Sequence, residues 1–128
     1  MKLKMLLIIA AIYMALIGLG HLISPVAMSA GVVPADASVG LIVFLRHYAA
    51  LFIAIAIMNW MARNEAVSPA RNAIVTANIV LFGLGAVLDV LGVFSGAGII
   101  GLVPGTINLI FAVAFFWIRR TSMSARVN

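Results

Sequence analysis

A chain of 128 residues that is 66% hydrophobic and only 9% charged lies far from soluble domains, in which roughly a quarter of residues are charged, and its mean hydropathy of +1.27 excludes a soluble globular fold. Eight Lys/Arg against three Asp/Glu give a net charge of +5, but apolar runs take up nearly all the length, leaving no solvated domain to carry a nucleic-acid-binding patch. The absence of cysteine removes disulfides, thiolate nucleophiles and Cys-ligated metal.

Four runs meet the requirement of about 20 predominantly apolar residues for a spanning helix, at about 3–23, 39–61, 73–94 and 99–118. The first ends at Ser24-Pro25, where proline cannot continue the hydrogen-bond ladder. A cleaved signal peptide competes for this run, with Ala27-Met28-Ser29 as a small-residue cleavage site, but the apolar stretch is long for a signal h-region and a retained anchor is expected. The segment 24–38 carries Pro34 and Asp36 and no Lys or Arg. The second connection, Arg63 to Arg71, is the most polar stretch of the chain, and only Ser95-Gly96-Ala97-Gly98 separates the third run from the fourth. Glycines 92 and 96, and 101 and 105, have the spacing that lets helix backbones approach. Pro104 lies within the fourth run and is expected to kink it. Leu16-Ile17-Gly18-Leu19-Gly20 and Leu81-Phe82-Gly83-Leu84-Gly85 echo each other half a chain apart, a similarity that chance explains in helices so rich in Gly and Leu.

Lys and Arg accumulate on the cytoplasmic side of membrane proteins. Lys2, Lys4, Arg63, Arg71, Arg119, Arg120 and Arg126 all belong to one face, and the other two connections carry no basic residue. The expected architecture is an all-α membrane protein, a single domain over 1–128 forming a four-transmembrane-helix bundle with both termini cytoplasmic. It would be a multi-pass protein of the cell inner membrane. The charge asymmetry argues against a dual-topology small multidrug exporter, as does the lack of an acidic residue in the first run. Trp60 and Trp117 fall at the cytoplasmic boundary, where an aromatic belt is expected.

The eighth basic residue, Arg46, sits inside an apolar run, where a guanidinium costs roughly 2.5–3.5 kcal/mol on insertion scales and calls for a partner. Asp89 is the intramembrane carboxylate at the same estimated depth, so the two are expected to pair. His21, His47, Tyr48 and Asn108 fall in the same outer layer. His47 and Asp89 are the candidates for proton transfer, although a buried structural pair accounts equally well for Arg46 and Asp89. Asn78 and Asn108 are expected to act as interhelical hydrogen-bond glue, Asn59 as an interfacial residue, and His21 as an occupant of the headgroup layer. No Cys-x-x-Cys, HExxH, P-loop or GxSxG motif occurs. Two histidines with one nearby carboxylate make a poor metal site, so no metal is expected. A bis-histidine haem through His21 and His47 is disfavoured by their different depths, and no cofactor is expected.

The first run ends Gly18-Leu19-Gly20-His21-Leu22-Ile23-Ser24-Pro25 and the second contains Arg46-His47-Tyr48-Ala49-Ala50. In these features the chain resembles the small four-helix membrane proteins of the DoxX-like kind. The resemblance covers most of the chain. It implies a four-helix inner-membrane architecture, and in some members an accessory role beside quinol oxidation or oxidative-stress complexes.

The functional expectation is a non-enzymatic membrane protein whose outer-leaflet pocket, lined by Arg46, His47, Tyr48, Asp89, His21 and Asn108, binds a small lipophile such as a quinone, or a membrane partner subunit. The alternatives are an acid-base enzyme acting on a quinone, isoprenoid or lipid, a structural subunit of a membrane complex, and a homo-oligomer. A transporter is disfavoured by the lack of paired acidic residues or broken helices in corresponding halves.

Overall fold

The computed structural model describes residues 2–124 and is helical, with no strand among them. Four long helices follow one another: α1 (Leu3–Ile23), α2 (Val39–Ala62), α3 (Pro69–Gly92) and α4 (Leu102–Ser124). Each is long and apolar enough to cross a membrane, and a backbone in lipid must satisfy its polar groups internally, as a helix does. The chain is therefore a multi-pass membrane protein built as a four-helix bundle. Arg126 lies outside the described residues.

The helix ends follow local chemistry. Ser38 accepts a hydrogen bond from the Leu41 amide at 3.3 Å, and Ser68 accepts from the Arg71 amide at 3.2 Å, each capping donors that a helix start leaves unpaired. Pro69 occupies the first helical position of α3, where its missing N–H is no loss. That cap starts α3 one turn before the apolar run. After Gly92 the chain makes a π-helical turn over Val93–Ala97 and a 3-10 turn over Ile99–Gly101. It reverses at Gly96, within the first, and at Gly98, between the two, whose φ values of 99° and 74° favour a residue without Cβ. Pro104 does not kink a helix interior: α4 begins at Leu102, so the proline lies in its first turn, where the backbone N–H groups have no intrahelical acceptor. A one-turn helix, Pro25–Met28, follows α1.

Packing divides the bundle into two hairpins, α1 with α2 and α3 with α4. In the first hairpin a Cβ on Gly18 would stand 3.0 Å from the Ala49 carbonyl oxygen and 2.8 Å from Ile53 Cγ1, so the crossing depends on its absence. The corresponding glycine of the sequence echo, Gly83, has nothing within 4 Å of such a Cβ, and the echo has no counterpart in packing. The shared core joins the hairpins in the half of the bundle nearest the basic residues: Leu6, Leu7, Ala10 and Met14 of α1 meet Ala56, Val75, Phe82, Phe111 and Phe115. Phe82 stacks on Phe111 at 4.6 Å between ring centroids, and Tyr13 leans on Phe111 at 5.3 Å.

Candidate functional site

Arg46 lies seven residues into α2 from Val39, and Asp89 seven residues before Gly96, where the third span ends. At 1.5 Å per residue both are about 10 Å below the end of the bundle away from the basic loops. Equal depth does not bring them together. Asp89 is turned toward α4, where it accepts a hydrogen bond from Asn108 Nδ2 at 2.9 Å and lies over Gly105, whose hypothetical Cβ would be 3.0 Å from Asp89 Cβ. Asn108 in turn covers Gly85, with 2.9 Å between its Nδ2 and a Cβ built there. Each polar side chain thus lies against a glycine of the facing helix. Arg46 is exposed on the outside of α2 and makes no ion pair or hydrogen bond among the described residues. The expected Arg46–Asp89 pair is absent because the two residues face different neighbours.

The remaining site residues sort by hairpin. His21, half-buried, has Nδ1 2.9 Å from the Ile17 carbonyl oxygen. A carbonyl can only accept, so Nδ1 carries the hydrogen and Nε2 is left as the acceptor for the Ser29 hydroxyl at 3.3 Å. This bond ties the turn after the short helix back to α1. His47 is exposed, with Nδ1 2.9 Å from the Val43 carbonyl oxygen. By the same reasoning its Nδ1 is the donor, and Nε2 makes no hydrogen bond among the described residues. Tyr48 is exposed, edge-on to Phe52 at 4.7 Å and parallel to Phe44 at 6.5 Å, and Phe52 also neighbours the His21 ring at 6.0 Å. The first hairpin therefore carries His21, Arg46, His47 and Tyr48 with an aromatic ladder, and the second carries Asp89 with Asn108. Among the described residues, no three His, Cys, Asp or Glu side chains gather as metal ligands would.

Asn59 is not interfacial: it is fully buried and exchanges hydrogen bonds with Asn78 at 3.0 and 2.7 Å, while Asn78 also donates to the Ile74 carbonyl at 2.9 Å. The sequence signal was present in two asparagines on successive apolar helices, since an amide inside a spanning helix needs a partner. Beside this pair a groove of about 720 Å³ opens between α2 and α3, and a second of about 670 Å³ runs along the outer side of α4. Neither includes Arg46, His47 or Asp89 in its walls.

Comparison with protein-family models, curated proteins and solved structures returned no match. The chain is, on its own geometry, a four-helix multi-pass membrane protein.

Proposed function

We propose that this chain is a non-enzymatic inner-membrane protein that holds a small lipophilic molecule or a partner subunit through the polar layer of the half away from its basic loops. Arg46 is the residue that meets the carbonyl or anionic head. The observation that carries this reading is Arg46 itself, exposed about 10 Å below the helix end with no partner among the described residues. A guanidinium at that depth needs a counterpart, and none is offered among the described residues. His47 and Tyr48 are exposed at the same depth on other sides of α2 and add a ring nitrogen and an amphipathic ring to the layer. Asp89 and Asn108 are a second polar pair, and Asp89 Oδ1 accepts no hydrogen bond within the described chain. The resemblance to DoxX-like proteins favours the same residues, since Arg46 opens one of the segments that carry it.

A second reading, acid-base chemistry on a quinone, isoprenoid or lipid, rests on His47. Its Nδ1 hydrogen is held by the Val43 carbonyl, which leaves Nε2 as the nitrogen that would exchange a proton with a substrate.

Native mass spectrometry of the protein with a membrane lipid extract tests both. Retention of one lipophile by wild type and not by Arg46→Ala supports the binding reading, and identical spectra for wild type, Arg46→Ala and Asp89→Asn overturn it. A bound species whose mass changes with time in wild type but not in His47→Ala would replace it with the enzymatic reading.

A further inference from the structure

The groove between α2 and α3 plays no part in that function and has a chemistry of its own. Ile55 and Met58 form one wall, and Ala77 and Leu84 lie along the other. The two polar side chains that reach it are already engaged. Asn78 is held by Asn59 and the Ile74 carbonyl, and the Thr76 hydroxyl donates to the Asn72 carbonyl at 2.8 Å. No wall group asks for a polar ligand, so the occupant is apolar along its length. On α3 the groove runs from Ala73 to Leu84, about 16 Å at 1.5 Å per residue, against about 15 Å for half of a hydrocarbon core roughly 30 Å thick. It is one leaflet deep.

One end of the groove is closed by the connection between its two helices, and that connection is basic. Arg63 ends α2 and Arg71 lies in the first turn of α3. Arg63 stacks on the Trp60 ring at 3.9 Å and donates Nη1 to the Trp60 carbonyl, which leaves most of the five guanidinium donors unspent. Arg71 donates Nη1 to the Glu65 carbonyl at 2.7 Å, yet its Nε is buried with no acceptor. That nitrogen is closed off from a bound molecule, but a phosphate oxygen is the acceptor that the remaining guanidinium donors suit best. Lys2, Lys4, Arg119 and Arg120 stand at the same end. Glu65 is the one carboxylate there and is exposed, while Asp36 and Asp89 belong to the opposite end.

We infer that the α2–α3 groove holds one acyl chain of an anionic phospholipid from the leaflet on the basic side, with the lipid phosphate against Arg63 and Arg71. The apolar groove selects a chain, and the two arginines select the charge of its headgroup.

The test is native mass spectrometry of the full chain in mild detergent, titrated with dioleoylphosphatidylglycerol and separately with dioleoylphosphatidylcholine. Wild type retains the anionic lipid preferentially. Arg63→Gln with Arg71→Gln lowers its affinity by roughly thirtyfold, to the level of the zwitterionic lipid, taking each basic residue at its usual surface contribution. Ala77→Trp and Leu84→Trp, both at lipid-exposed positions, block the groove and lower retention of both lipids. Two such variants guard against one failing to fold, with circular dichroism as the check. Equal retention of the two lipids by wild type, or unchanged retention by both tryptophan variants, overturns the inference. Loss of phosphatidylglycerol retention in Arg46→Ala together with full retention in the Arg63→Gln and Arg71→Gln protein would place the lipid in the polar layer, so that this inference fails while the function proposed above stands.

Discussion

The amides of Asn59 and Asn78 hold each other in both directions, each donating through Nδ2 and accepting through Oδ1. They are the two polar side chains fully buried among the described residues, and they join one hairpin to the other near the basic end. Interhelical hydrogen bonds in membranes contribute about 0.6 kcal/mol on average and up to about 1.7 kcal/mol. This pair, with two bonds and no access to water, belongs at the upper end.

Asn78→Leu strands the Asn59 amide and should cost about 1–2 kcal/mol. Asn59→Leu with Asn78→Leu removes both polar groups together and should cost less than the two single changes added. Thermal unfolding in detergent, assembled as a double-mutant cycle, reads the coupling. Strict additivity would show that the two amides do not act as a pair.

Glycine positions separate close approach from empty space. Gly105→Ala drives a methyl to 3.0 Å from Asp89 Cβ, and Gly85→Ala drives one to 2.9 Å from Asn108 Nδ2. Each should destabilise by about 1–3 kcal/mol, as overpacking does. Gly83→Ala meets nothing within 4 Å and should stay within about 0.5 kcal/mol of wild type. Melting temperatures of the three variants in one detergent give the comparison, and an equal loss at Gly83 would contradict this account of the α3–α4 interface.

Asp89→Asn keeps an oxygen to accept from Asn108 and should cost less than Asp89→Leu, which leaves that amide without its partner at about 1–3 kcal/mol. The order of the two unfolding midpoints is the readout, and equal losses would place the importance of Asp89 in its charge and not in its hydrogen bond.

Arg46→Ala should leave the melting temperature within the error of wild type, because the side chain touches no polar partner among the described residues. A drop of several degrees would mean that the guanidinium supports the fold, and the binding reading would lose its main argument.

Four spanning helices were legible in the sequence because length and hydropathy are one-dimensional properties. The start of α3 was not, since Arg63 to Arg71 reads as loop by polarity although Ser68-Pro69 carries a capping signature. Depth was legible too, and it placed Arg46 and Asp89 in one layer. Rotation about the helix axis was not: α2 is apolar nearly all round, so no stripe tells which side of it Arg46 occupies. Asn59 was misread for a related reason. Counted from the apolar runs it lies near a boundary, but burial depends on the neighbour across the interface, and Asn78, nine residues after Pro69, stands against it. The Asp89–Asn108 contact was legible only as a general need of amides inside a membrane for partners.

The separation into hairpins bears on how the molecule is made. Most packing of α1 is with α2 and most of α3 with α4, so each half closes on itself with little help from the other. What joins the halves is compact: the aromatic cluster around Phe82 and the Asn59–Asn78 amides. A gene split within the exposed stretch 64–67 should therefore yield two polypeptides that find each other in the membrane, and co-purification of the tagged first half with the untagged second would report that assembly directly.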